Sequence, residues 1–271
     1  MTDELTDLTF PVEKVAVMGL VDENLVHSTK RGITHAIKNM DTLEILAFVS
    51  GDYALIKNAD IISSFEKFFT EKKIRTELQA SAFNDVRFRM TFALMDYSRE
   101  IQNGDSVYPI FFVQNSYNRS QKYQFGISVS RGVCANVLTA WGVDVRNLDM
   151  LHTPGAGDGI AVEESLKLIQ EFLPAFEETL EPYHELAERT MEVGSMATRI
   201  AEVVENTKFP IGLAEDANNQ AITEVLKYGW EPSDWIVYNA MNFQLNHNAE
   251  NLLGRKADTV DRQVLTHLMK Y

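Results

Sequence analysis

Three strand-like stretches lie in the middle of the chain, and in two of them apolar and polar side chains alternate with period two. Along residues 86–96, Val86, Phe88, Met90 and Phe92 point one way and Arg87, Arg89 and Thr91 the other, which predicts a half-buried strand. Residues 107–114 form an apolar run whose Pro109 suits an edge strand or a strand start. Along 122–130, Tyr123, Phe125, Ile127 and Val129 alternate with Gln124, Gly126, Ser128 and Ser130. Asn103-Gly104-Asp105 and the polar run from Asn115 to Ser120 supply turn chemistry. A helix is expected from about Val133. These pieces predict an α+β fold with a central antiparallel β-β-β-α meander, helices on one face and a largely helical C-terminal region.

Residues 14–19 and 43–50 read as short β-like runs, and residues 28–39 as helical. Asn58 looks like an N-cap, and Ile61, Ile62, Phe65, Phe68 and Phe69 follow at i, i+3, i+4 spacing, predicting an amphipathic helix that ends near Lys73. After Gly155-Ala156-Gly157-Asp158 the pattern is helical almost to the end, with Pro174 and Pro182 dividing it. The last helices are expected over 215–228, 233–247 and 257–271. The division this suggests is an α+β core domain over 1–150 and a helical region over 151–271 packed on it.

Hydrophobic residues make up 45% of the chain and charged residues 24%, ordinary values for a water-soluble protein. No apolar run approaches the roughly 20 residues that span a bilayer, so no membrane partner is expected. The acidic N-terminus lacks the basic and apolar regions of a secretory signal, and a single cysteine excludes an internal disulfide. Residence in the cytoplasm is the expectation. The net charge of −14 argues against nonspecific affinity for polyanions, but it hides an asymmetry. Residues 54–133 hold eleven bases against eight acids, a local +3, whereas residues 158–215 hold thirteen acids against four bases, a local −9. The acidic part reads as the solvated face of helices.

Familiar catalytic motifs (GxGxxG after a strand, GxxxxGK[ST], HExxH, GxSxG) are missing, and the six histidines are scattered. No catalytic residue, metal ligand or cofactor is therefore predicted. Asp258 and Asp261, near Arg255 and Arg262, read as intrahelical ion pairs. Cys134, close to Arg131, reads either as a small buried hydrophobe or as an activated thiol at a helix start. In the turn, Asn115, Ser116, Asn118 and Ser120 suit Asx-type geometry. Tyr117 and Arg119, expected at an exposed tip, also offer a stacking ring and a fork of donors. The candidate nucleic-acid-binding residues are Arg87, Arg89, Asn115, Tyr117, Arg119, Lys122 and Arg131.

Gly104-Asp105, then Gln114-Asn115-Ser116-Tyr117-Asn118-Arg119-Ser120, then Arg131-Gly132-Val133-Cys134-Ala135-Asn136 resemble the motifs of the phage/plasmid-like proteins of unknown function (the YfjQ-like group). Gly51-Asp52-Tyr53 through Asn58, His152-Thr153, Trp235 to Ala240 and Asp258 to Arg262 extend the likeness over most of the chain. The turn carries Asn118-Arg119 where the family has Asp-Gly, and Val137 stands where a small residue is usual. The resemblance implies a phage or mobile-element accessory in DNA replication, recombination or host takeover, and it carries over no catalytic residue. The β-β-β-α order is also similar in topology to single-strand annealing proteins of the Erf and Redβ type. On that analogy Arg87, Arg89, Arg119, Lys122 and Arg131 line a groove along single-stranded DNA, Tyr117 stacks on a base, and a homo-oligomer extends the groove. The alternative partner is a host or phage protein, engaged by the acidic helices.

Overall fold

The computed structural model describes residues 9–17, 32–132, 137–138, 148–157, 159–248 and 255–270, and the elements below are those of the described residues. The chain divides into two compact units, each assembled from three segments. Unit 1 is Met1–Asp96, Ile110–Ile127 and Arg146–Leu173; unit 2 is Tyr97–Pro109, Ser128–Val145 and Pro174–Tyr271.

Unit 1 begins with three antiparallel strands, β1 (Val12–Ala16), β2 (His35–Asn39) and β3 (Ile45–Val49), in the order β1-β2-β3. β2 falls in the stretch expected to be helical. It is the middle strand, bonded on both sides, and it buries Ala36 and Ile37. Two ladders outweigh the weak helical preference of so short a segment. Val12, Ile37 and Val49 close over Tyr53 and Tyr117 as one apolar cluster.

α1 (Asn58–Lys72) runs as its spacing predicts, burying Ile61, Ile62, Phe65, Phe68 and Phe69. Its cap differs from expectation. Lys57 is the extended residue before the helix, and Asn58 is the first helical residue, with a buried side chain. Lys73, left-handed at φ 56°, ends the helix by turning back the N–H groups of Lys73 and Ile74 onto the carbonyls of Thr70 and Phe69.

The main sheet of unit 1 is built from β4 (Thr76–Asn84), β5 (Arg87–Leu94), β7 (Asp105–Ser116), β8 (Tyr123–Arg131) and β10 (Leu148–Met150), in the order β10-β8-β7-β5-β4. The register pairs Phe92 with Phe111 and Met90 with Val113 on one face, and Arg89 with Gln114 and Thr91 with Phe112 on the other. The first face meets α1. The Phe111 ring lies 5.4 Å from Phe65, 5.3 Å from Phe69 and 5.0 Å from Phe92, all near-parallel. α2 (Ile160–Ala175) also buries one side, and its Ser165 hydroxyl lies 2.7 Å from the Tyr123 hydroxyl.

In unit 2, β6 (Arg99–Gln102) turns through Asn103-Gly104 to pair with the start of β7, and Gly104 takes the φ of +76° that this turn needs. The end of β8 pairs with β9 (Val137–Leu138), a strand within the stretch expected to be helical; pairing of Leu138 with Val129 holds it extended. Cys134 lies outside the described residues. The helices are α3 (Glu181–Glu188), α4 (Met196–Asn206), α5 (Ala214–Tyr228), α6 (Asp234–His247) and α7 (Arg255–Leu268), the last three close to the expected spans. Pro182 sits in the first turn of α3, where its missing N–H has no intrahelical partner to lose, and Gly229 ends α5 at φ +69°. α6 is buried on nearly all sides and packs against α3, α4, α5 and α7.

β7 and β8 each contribute residues to both units. Pro109 is therefore neither on an edge nor at a strand start. It falls between Val107, paired with β6, and Ile110, paired with β5, where β7 changes neighbours and one N–H can be spared.

Phe111→Ala removes the ring shared by Phe65, Phe69 and Phe92, and urea denaturation should show a loss of about 3–5 kcal/mol. A loss below about 1 kcal/mol would mean that the α1 face does not depend on it.

Candidate functional site

Of the seven residues expected to contact nucleic acid, four are exposed, and all four lie in unit 1. Arg87 and Arg89 stand two apart on β5, on the face away from α1. The Arg87 Nε–H donates to the Ser120 hydroxyl at 2.7 Å, and the Arg89 guanidinium lies 5.2 Å over the Phe112 ring. Arg119 occupies the turn after β7 with a left-handed φ of 63°, and the Ser120 N–H is bonded to the Asn118 side chain, the expected Asx turn. Lys122 approaches the Asp149 carboxylate at 3.9 Å.

The other three are buried. Tyr117 is 1% exposed, because β7 runs two residues into the predicted turn and the Tyr117 N–H bonds back to the Val86 carbonyl. Its ring packs beside Phe10 in the cluster around Ile37, and its hydroxyl accepts the Asn58 N–H at 3.0 Å. Burial pushes its pKa up to about 12. Asn115 lies on the α1 face of β7 and donates to the Ile56 carbonyl at 2.7 Å and to the Asn58 side chain at 2.9 Å. These two residues anchor the turn from within and are not available to stack or to donate to a phosphate.

Arg131 has no solvent exposure at all, so it cannot line an open groove. In unit 2 its Nη2 donates to Asp105 at 2.6 Å, its Nε reaches both Asp105 oxygens at 2.9 Å, and its Nη1 donates to Glu224 of α5 at 2.6 Å. The Trp235 indole N–H donates to Asp105 at 2.7 Å, and the Trp230 and Trp235 rings lie 5.0 and 5.6 Å from the guanidinium carbon. Gln220 donates to Glu224 at 3.0 Å. Gly132 follows where an added Cβ would come within 3.2 Å of the Ser106 hydroxyl and 3.3 Å of its carbonyl, the acceptor for the Gly132 N–H. The Gly104-Asp105 and Arg131-Gly132 motifs thus meet as an architectural joint.

Sequence reasoning missed Glu224 and Trp230, which no local pattern distinguishes from other acids and aromatics. It also missed the pairing of Tyr53 with His152. Those rings stack at 4.9 Å, the Tyr53 hydroxyl donates to the Ser116 carbonyl at 2.9 Å, and the His152 ring nitrogen Nδ1 lies 3.1 Å from the Ala54 carbonyl. Burial lowers the His152 pKa. The motif order Gly51-Asp52-Tyr53 and His152-Thr153 was the available signal.

On the last helix one expected ion pair is corrected: Asp261 is buried and accepts from Tyr238 at 3.0 Å and from Asn242 at 2.8 Å. Asp258 keeps the expected attraction to Arg262, although partial burial outweighs it and raises the Asp258 pKa. Elsewhere in unit 2, an open cleft of about 410 Å³ is lined by Arg189, Thr198, Glu202 and Asp234, where Arg199 grips Asp234 with two bonds of 2.8 and 2.9 Å. The described acids between Glu163 and Glu215 are exposed except Glu202, as a solvated face requires. Among the described residues no three His, Cys, Asp or Glu side chains are placed to hold a metal ion, and no helix is long and apolar enough to cross a membrane.

Arg131→Met should destabilise the protein by about 3–5 kcal/mol in denaturant unfolding, because Asp105 and Glu224 are left buried without their counter-charge. Arg131→Lys should rescue little of this, since an ammonium cannot reproduce the fork. His152 predicts a pH effect. Its pKa is lowered in the folded state, so the unfolded chain takes up a proton that the folded chain refuses. Stability should be full above about pH 6.5 and fall as the pH drops through that value. Thermal unfolding of His152→Gln should show a shallower acid slope than the unsubstituted protein, and an unchanged slope would remove His152 as its source.

No curated protein and no solved structure matches the chain. A family model described as a domain of unknown function, DUF932, matches residues 45–267, a span that takes in both the sheet of unit 1 and the Arg131 joint. That match covers most of the sequence, and the chain belongs to the DUF932 family.

Proposed function

We propose that this protein binds single-stranded DNA along the open face of the unit 1 sheet, as an accessory of phage or mobile-element DNA recombination or replication. One observation carries the reading: Arg87, Arg89 and Arg119 are exposed in one region, and none has an acidic partner among the described residues. Ordinary surface arginines in a chain of net charge −14 find carboxylates easily, as Arg99 does with Glu177 and Arg75 with Asp96. Two residues along a strand advance about 6.8 Å, the scale of one step of an extended nucleotide chain. Annealing needs a surface that holds phosphates and presents bases, not a nucleophile or a metal. A homo-oligomer would lengthen that surface, and the resemblance to phage/plasmid-like proteins points to the same setting.

The exposed acids of unit 2, among them Glu177, Glu178, Glu181, Glu185 and Glu188, support the second reading, a docking surface for a host or phage protein.

Fluorescence anisotropy with a labelled oligothymidylate separates the two. Binding should weaken as salt rises, and Arg87→Ala/Arg89→Ala/Arg119→Ala should flatten the slope of log affinity against log salt by about 2, since each phosphate contact on a single strand contributes about 0.7. Absence of binding at low salt by the folded protein would discard the DNA reading in favour of the acidic surface.

A further inference from the structure

We infer that Phe112 is the base-stacking platform of this surface and that Arg89 is its removable cover, an inference that rests on the single-stranded DNA reading above. With Tyr117 buried, the surface still needs a ring if it is to hold bases. Phe112 lies on the open face of β7, opposite Thr91, half-buried with the Arg89 guanidinium 5.2 Å over its centroid.

Beside the ring runs a row of amides. The Gln114 side-chain amide, in register with Arg89, donates to the Gln124 side-chain oxygen Oε1, and the Gln124 side-chain amide donates to Asp149 at 2.7 Å, with Lys122 against the same carboxylate. These bonds cross β7, β8 and β10 and fix the orientation of both carboxamides. The face thus presents, side by side, cations for phosphate, an aromatic plane for the flat side of a base and oriented amides for its edge.

The physics of exchange favours a nucleotide over the resting contact. An exposed cation–π contact is weaker than base–aromatic stacking. A guanidinium that leaves the ring for a phosphate oxygen gains a charge-assisted hydrogen bond in place of the contact it gives up. One nucleotide can therefore take both places, the base on Phe112 and its phosphate on Arg89. The occupant has to be single-stranded, because in a duplex both faces of each base are already stacked.

The test compares binding of the full-length protein to an oligothymidylate and to an abasic sugar–phosphate chain of the same length and charge. The protein should prefer the thymidylate by about tenfold, the effect of one stacked base. Phe112→Leu should remove that preference, so that the two chains bind alike, and Phe112→Tyr should restore it. Arg89→Ala should lower the salt slope on both chains by about 0.7 and keep the preference. Equal binding of the two chains by the unsubstituted protein overturns the inference without needing a variant, as does a Phe112→Leu loss that is equal on both, and the DNA reading survives either result. Failure to bind either chain at low salt rejects the DNA reading itself.

Discussion

A guanidinium removed from water must be supplied with acceptors by the fold, and Arg131 makes that demand on four separate pieces of unit 2. Asp105 comes from the start of β7, Glu224 from α5, Trp235 from α6, and Trp230 from the link between the two helices. None of these can shift without stranding a charge in a place where stranding is costly. The cluster carries two carboxylates to one guanidinium, and the surplus negative charge is met by neutral donors, the Trp235 indole and the Gln220 amide. Such a joint is weak evidence of stability compared with an apolar core of equal volume. It is a strong constraint on which arrangement of β7, β8, α5 and α6 is allowed.

Unit 1 solves a different problem with apolar means. Phe65, Phe69, Phe92, Phe111 and Phe125 form a stack between α1 and the sheet, and the sheet leaves its other face to Arg89, Phe112 and the glutamines. Period two enforces this segregation: a strand that commits Phe111 and Val113 to the core has to commit Phe112 and Gln114 to the opposite side. The positively charged face is thus a geometric consequence of how the core is filled, and the overall acidity of the chain is carried elsewhere, on the helices.

The same rule explains what the sequence disclosed. β5 and β8 were legible because each alternates over many residues, β7 because an apolar run is bounded by turn residues, and α1 because five apolar side chains fall on one helical stripe. β6 was not, since Ile101 is its only buried residue. β2 was misread because five residues carry too little periodicity to oppose a helical reading. The candidate site was half legible. Arg87, Arg89, Arg119 and Lys122 stand where alternation and turn chemistry put them. Arg131 and Tyr117 do not, because the residues that bury them are far away in the chain: Glu224 comes 93 residues after Arg131, and Asn58 stands 59 before Tyr117. An arginine destined for a buried joint looks in sequence like one destined for solvent.

The threading of the two units sets an order of assembly during synthesis. All the segments of unit 1 have been made once Leu173 is complete, whereas unit 2 holds only its two short pieces, Tyr97–Pro109 and Ser128–Val145, at that moment. Asp105 and Arg131 therefore exist long before Glu224 and Trp235 are translated, at a synthesis rate of about 5–20 residues per second. For some seconds the nascent chain carries an arginine and an aspartate whose final neighbours have not left the ribosome. The pair can meet each other in water but cannot yet be sealed from it, so burial of this charge is among the last events in the making of the molecule.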